Sequence, residues 1–459
     1  MKTHLCSTLL FFFTIASVAS AQNSTNINIS TYQDEAQKII EAALSDEQAF
    51  DKLTLFVDKF GHRFSGSESL ENSIDWIVSQ MKKQPFDTVF TQKVMVPHWV
   101  RGEESATLIA PRKKNLPMLG LGGSIGTPEG GIKAEVLVVG SFDELHEKAD
   151  QAKGKIIVYN VPFTTYGETV QYRYRGGIEA AKVGAVASLI RSVGPYSMKT
   201  PHTGTSSYQE GVKKVPQAAI TIEDAKMLHR MQERGKEIVI KLSMDAKMLP
   251  DVPSRNVIAE IKGSKYPEEI VVLGGHIDSW DVGQGAMDDA GGCFAAWEAV
   301  MLMKELGLRP KRTVRVVMWT NEENGLRGGT GYRDMVKENG TLQNHVLAIE
   351  SDGGVFKPLG FGFGGSDEAY KIVSEISKLL EPIGADKMVR GGGGADIGPI
   401  MREGVPGMGL LVDGSRYFWY HHTAADTIEV LDLEEYKECI ATMAVMAFVV
   451  ADMEQTLPR

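Results

Sequence analysis

From residue 45 onward, apolar positions recur at helical spacing. Phe50, Leu53, Leu55 and Phe56, then Ile74, Trp76, Ile77 and Met81, predict two amphipathic helices covering a sheet. Residues 88–97 and 106–110 read as strands. Between 118 and 249 the texture changes to short strands (135–139, 155–159, 184–190, 238–242) alternating with short helices, and residues 254–261 return to the longer pattern. Ile270-Val-Val-Leu273, closed by Gly274 and Gly275, is an uninterrupted apolar and mostly β-branched run, the pattern of a strand buried on both faces in a parallel sheet. Thr313-Val-Arg-Val-Val-Met-Trp319 and His345-Val-Leu-Ala-Ile-Glu350 repeat the signal. Between the first two, Phe294, Ala295, Trp297, Val300 and Met301 mark a helix opening at Gly291 and running to about Leu306. Strands alternating with helices predict an α/β fold.

The two ends of the chain read differently. Residues 1–21 combine Lys2, the run Leu9-Leu-Phe-Phe-Phe-Thr-Ile15 and Ala19-Ser-Ala21, the pattern of a secretory leader cut after Ala21. The protein is therefore expected outside the cytoplasm: extracellular, periplasmic or secretory/lysosomal, according to host. Residues 22–44 are polar and predict a loose extension or a removed pro-segment. The apolar stretch 440–451 is too short to span a bilayer, is flanked by Glu438 and Asp452, and reads as a packed helix.

Composition narrows the class. At 459 residues, 43% hydrophobic and 24% charged, the chain can build a substantial core in two lobes. Its net charge of −10 argues against nucleic acid as a partner. Cys6 lies in the leader, and Cys293 and Cys439 fall in apolar helical patterns, as two buried thiols or one disulfide. Asn23-Ser-Thr, Asn28-Ile-Ser and Asn339-Gly-Thr are acceptor sequons if the host glycosylates.

The chemistry gathers at predicted strand ends. His276 follows the run 270–273, with Asp278 two residues on, close enough to orient the imidazole. Asp288 and Asp289 end a glycine-rich loop, where one of them suits the cap of the following helix. Glu322 and Glu323 follow Trp319, and paired glutamates are costly to hold together without a cation between them. Asp352 follows the third strand. Far downstream, Tyr417-Phe-Trp-Tyr-His-His-Thr-Ala-Ala-Asp-Thr427 supplies His421 and His422. Imidazoles and carboxylates without thiolates suit a catalytic zinc site.

The order His-x-Asp, Asp-Asp-Ala-Gly-Gly, Glu-Glu-x-Gly, Ser-Asp and His-Thr-x-x-Asp-Thr resembles the co-catalytic di-zinc exopeptidases, which include bacterial zinc aminopeptidases and glutamate carboxypeptidase II. The resemblance covers nearly all of the chain after the leader. It implies a mixed sheet flanked by helices on both faces, formed by residues 45–117 and 250–459, with a protease-associated domain inserted at 118–249. It implies two Zn2+ per chain: His276 and Asp352 on one, Glu323 and His422 on the other, and Asp288 bridging. Three carboxylates and a hydroxide then balance two divalent ions. Glu322, not a ligand in that pattern, is the general base. Asp289 as the bridge, and His421 in place of His422, remain the alternatives. His421 stands where glutamate carboxypeptidase II has a tyrosine near the tetrahedral intermediate, and from there it suits an oxyanion donor. Arg173 and Arg175, flanked by aromatic residues, are the side chains suited to gripping a terminal carboxylate, with solvated surface charge as the alternative. Short peptides, above all unblocked dipeptides, are the expected substrates, and a homodimer is the remaining partner expectation. The competing readings are an aminopeptidase on longer peptides, an inactive binding protein on a peptidase scaffold, and a single-zinc cyclase-like acyltransferase.

Overall fold

The apolar runs at 270–273, 313–319 and 345–350 lie at the centre of one sheet. In the computed structural model, which describes residues 27–459, the strands of this sheet are β1 (Thr88–Val100), β2 (Lys247–Ile261), β3 (Tyr266–His276), β4 (Arg312–Trp319), β5 (His345–Glu350), β6 (Pro358–Gly364), β7 (Lys387–Arg390) and β8 (Gly407–Val412). Their spatial order is β1-β2-β4-β3-β5-β8-β6-β7. The central four, β4, β3, β5 and β8, run parallel. Antiparallel pairs, β1 with β2, β2 with β4 and β8 with β6, flank them, so the sheet is mixed. The unbroken apolar runs follow from burial on both faces. Val271 and Leu273 face one core cluster, while Ile270 and Val272 face another.

Helices supply those clusters. Gln48–Phe60, Glu68–Met81, Gly291–Glu305 and Leu433–Asp452 cover the first face, and Arg327–Glu338 and Gly398–Met401 the second. The apolar stretch 440–451 is the buried body of Leu433–Asp452, started by Asp432, whose carboxylate accepts from the Glu434 and Glu435 amides. No helix among the described residues is long and apolar enough to cross a membrane. Cys293 and Cys439 are both free and buried, which removes the disulfide alternative.

Two expectations need correction. The stretch 22–44 is no loose extension from Ile29 on: Gln33–Ser45 is a helix whose Ala36, Ile39, Ile40 and Ala43 join the first core cluster. Their spacing of i, i+3, i+4 and i+7 gives the helix an apolar stripe despite its polar composition. The second lobe begins before 118. Its eight-stranded sheet draws all its strands from between Glu104 and Met244, because Glu104–Ala110 pairs antiparallel with Val239–Met244. The chain leaves β1 and re-enters β2 at paired residues, Val100 opposite Lys247, so the lobe hangs from two adjacent strands. Trp280, from the loop after β3, is buried in the second lobe's cluster with Phe64 and Trp99, which locks the lobes together. The expected leader at 1–21 and the sequon at Asn23 lie outside the described residues.

Candidate metal centre

Four neighbouring parallel strands deliver the candidate residues from their C-terminal ends: His276 closes β3, Glu322 and Glu323 follow β4, Asp352 follows β5, and the loop after β8 carries His421 and His422. That edge of an open α/β sheet is where loops converge. His276 Nε2 lies 3.1 Å from Asp288 Oδ1 and 3.3 Å from Asp352 Oδ1. His422 Nε2 lies 3.0 Å from Glu323 Oε2 and 3.6 Å from Asp288 Oδ2. Asp288 thus stands between two pairs, His276 with Asp352 and His422 with Glu323. His421 stacks on His422 with ring centroids 3.5 Å apart and reaches Asp288 Oδ2 at 3.9 Å. Glu322 sits beside the cluster, partly exposed.

Asp289 is adjacent but differently employed. Its Oδ2 accepts from the His276 amide and its Oδ1 from the Gly292 amide, both at 3.1 Å, so it ties β3 to the start of Gly291–Glu305. Asp278 also departs from expectation. The imidazole of His276 meets the backbone carbonyl of Asp278 at 2.9 Å, with the carboxylate at 3.8 Å. That carboxylate instead accepts from the amides of Glu322 (3.0 Å) and Glu323 (3.3 Å), fixing the turn that presents the glutamate pair.

The electrostatics describe a site short of positive charge. Burial first, then repulsion from Asp288, lifts the Glu323 carboxyl well above the ordinary range, and burial with the nearby Asp352 and Asp278 lifts Glu322. Burial opposes charge on His276, yet hydrogen bonds to Asp288 and Asp352 outweigh it and raise that imidazole. Burial, then Arg173, pulls His422 well below its ordinary value. Glu323 Oε1 is buried without a hydrogen-bond partner. A divalent cation relieves such crowding. Candidate ligand atoms fall within 4.8 Å of one another in three overlapping sets: His276, Asp288 and Glu323; His276, Asp289 and Asp352; and Asp288, His421 and His422. The residues fit zinc in type and placement.

The two arginines separate. Arg173 reaches the site from the helix Tyr166–Lys182 of the second lobe but is committed there. Its Nη1 donates to the Thr203 carbonyl at 3.2 Å and its Nη2 to the Tyr166 hydroxyl at 2.8 Å. Arg175 pairs with Glu179 at 3.3 Å and lies over Phe142, away from the cluster. Two residues apart on one helix, the side chains point in different directions: Arg173 has both terminal nitrogens engaged beside the cluster, and Arg175 turns to Glu179.

Three supporting residues had no role assigned from the sequence. Asp426 accepts from the amides of Met287 (2.8 Å) and Asp288 (3.2 Å), tying the histidine loop to the aspartate loop. Its place in the His-Thr-x-x-Asp-Thr pattern was the available signal. Glu350 accepts from the amides of Asp396 and Ile397, holding the run of four glycines at 391–394 so close that a Cβ at Gly394 would fall 2.0 Å from its carboxyl carbon. Arg63 donates to the carbonyls of Ile277, Gln284 and Gly285, partners more than 200 residues away, so no local pattern marks it.

Comparison with known proteins finds peptidases. The profile of peptidase family M28 matches residues 256–447. Carboxypeptidase Q of Xenopus laevis is 53% identical over 434 residues, covering 94% of this chain and 92% of its own. Carboxypeptidase Q of Homo sapiens is 50% identical with the same coverage. The crystal structure of a peptidase M28 precursor from Shewanella amazonensis SB2B superposes with a TM-score of 0.89 at 34% identity, covering 94% of this chain and 99% of that one. A zinc aminopeptidase from Bacillus subtilis shares the fold, with a TM-score of 0.67 at 21% identity, covering 89% of this chain and 96% of that one.

Proposed function

The chain belongs to peptidase family M28 and is a zinc metallo-exopeptidase; from that premise we propose that it is an exported di-zinc enzyme hydrolysing short peptides, unblocked dipeptides foremost. The observation that carries the reading is the convergence of His276, Asp288, Glu323, Asp352 and His422, with the buried Glu323 Oε1 left without a partner and Glu322 beside them. His276 and Asp352 would hold one ion, Glu323 and His422 the other, with Asp288 between. Asp289, with both oxygens spent on backbone amides, is left as a brace, and His421 as a donor toward the reacting carbonyl oxygen. When bound, zinc supplies Lewis acidity toward the scissile carbonyl and the attacking water.

Glu322 takes the proton of the attacking water and later gives it to the leaving amine. Burial beside Asp352 and Asp278 raises its carboxyl, which suits a group that must both accept and return a proton. The Asp278 carboxylate, by holding the Glu322 and Glu323 amides, keeps base and ligand in fixed relation.

The second lobe, read as a protease-associated domain, narrows the site. Tyr166 stacks on Phe418 and meets His421 edge-on, its ring 5.3 Å away, so the approach is roofed by aromatic rings. A roofed, acidic site suits a short substrate with a free amine. The test is a panel of free, N-acetylated and C-amidated dipeptides with longer peptides. Free dipeptides should turn over fastest, and N-acetylation should cost at least about tenfold in kcat/KM, the scale of one lost polar contact near 1.4 kcal/mol. Efficient cleavage inside long peptides would overturn the exopeptidase reading.

A further inference from the structure

We propose that the second lobe is a working part of the metal centre: Thr203, Thr205 and Arg173 position the Glu323 and His422 ligands of one zinc ion, so that affinity for this ion, and not for its neighbour, depends on the second lobe. The inference rests on the two-zinc reading above. Thr203 holds the backbone of His422: its amide donates to the His422 carbonyl at 3.0 Å. Thr205 Oγ1 donates to the carbonyl of Glu323 at 2.8 Å. The two ligands that this ion does not share, Glu323 and His422, are therefore both held by a three-residue segment of the other lobe.

Arg173 braces this segment. With His422 Nε2 turned toward Glu323, the ring proton belongs on Nδ1, which then needs an acceptor. Arg173 has only donors and cannot serve, although its Nη1 lies 3.4 Å from Nδ1. It donates instead to the Thr203 carbonyl, so it acts on His422 through the segment whose amide holds that residue. Gly204 makes the fit possible. At φ +133° it lies flat against Arg173, and a Cβ there would fall 2.2 Å from the guanidinium nitrogen.

The other ion has no such dependence. His276 is held by the Asp278 carbonyl and by Asp289, and the bridging Asp288 by Asp426, all within the first lobe. Asp352 follows β5 of the same lobe. His422 itself has φ +60°, a conformation side chains seldom adopt, so it relies on its surroundings to stay there.

The experiment strips full-length protein with chelator, equilibrates it at a series of buffered free zinc concentrations, and counts zinc per chain by elemental analysis. Wild type should bind two ions. Thr205→Val, which keeps the shape without the hydroxyl, and Arg173→Met should bind the first ion as wild type does and the second about 10- to 100-fold more weakly, the usual cost of losing a partner behind a ligand. Thr205→Ser should restore it, and Arg175→Met, on the same helix but paired with Glu179, should bind both normally. Melting of the zinc-free forms identifies any variant that fails to fold; if Arg173→Met does, Thr205→Val decides. Two ions held with wild-type affinity in folded Thr205→Val overturns the inference, as does equal weakening of both. A wild type that takes up fewer than two ions removes the two-zinc reading itself, and the inference with it.

Discussion

Asp288 and Asp289 are chemically identical neighbours with opposite employments. Asp289 spends its oxygens on the amides of His276 and Gly292, while Asp288 turns its oxygens toward His276 and His422. The difference lies in how the backbone turns between them; residue type alone does not separate the two side chains, and only the family pattern favoured Asp288 as the bridge. His345 shows a second consequence of placement. On the far face of the sheet, its Nδ1 meets the Thr341 carbonyl at 3.0 Å and its Nε2 the Tyr332 hydroxyl at 2.8 Å. Burial, then the nearby Arg315 charge, pulls this imidazole down to about 4. Unfolded, it would titrate near 6.5. The unfolded chain thus binds the extra proton between those values, so the stability this residue contributes is intact above about pH 6.5 and drains away as pH falls toward 4. The loss should reach roughly 3 kcal/mol, and His345→Gln should flatten it. Urea midpoints at pH 7 and pH 4.5 check this. Equal acid sensitivity in the variant and wild type would locate the titrating group elsewhere.

At the scale of elements, the helix Gln33–Ser45 matters to the core more than its composition suggests. Ile39→Ala should cost about 2–5 kcal/mol, as for other buried large-to-small changes, while Lys38→Ala on its exposed side should stay within about 0.5 kcal/mol. Equal shifts of the urea midpoint in the two variants would mean the helix is not docked. The central strands were legible because largely apolar runs such as 270–273 and 313–319 suit a strand covered on both faces, as at the centre of an α/β sheet. The helix was not, since four apolar side chains among Gln33, Asp34, Glu35, Gln37 and Lys38 look dilute until folded onto one stripe. The start of the second lobe was hidden for another reason. Glu104–Ala110 reads as a strand in either lobe, and only its partner Val239–Met244, more than 100 residues on, decides.

For the whole molecule, the candidate site is the meeting of four parallel strand ends with a lobe inserted far from them in sequence. The strand-end residues His276, Glu322, Glu323 and Asp352 were legible because each follows a strand signal and carries metal-type chemistry. Arg63, Thr203 and Thr205 were not, because they act through backbone groups of distant loops, and ordinary polar residues leave no pattern for that work. Turnover of a free dipeptide, followed as zinc is returned to stripped protein in wild type and Glu322→Gln, tests the account at its centre. Wild-type activity should become complete only at two ions per chain. Glu322→Gln should take up the same two ions and remain at least about a hundredfold slower, the scale of a lost general base. Full activity at one ion, or near-normal turnover in Glu322→Gln, would contradict it.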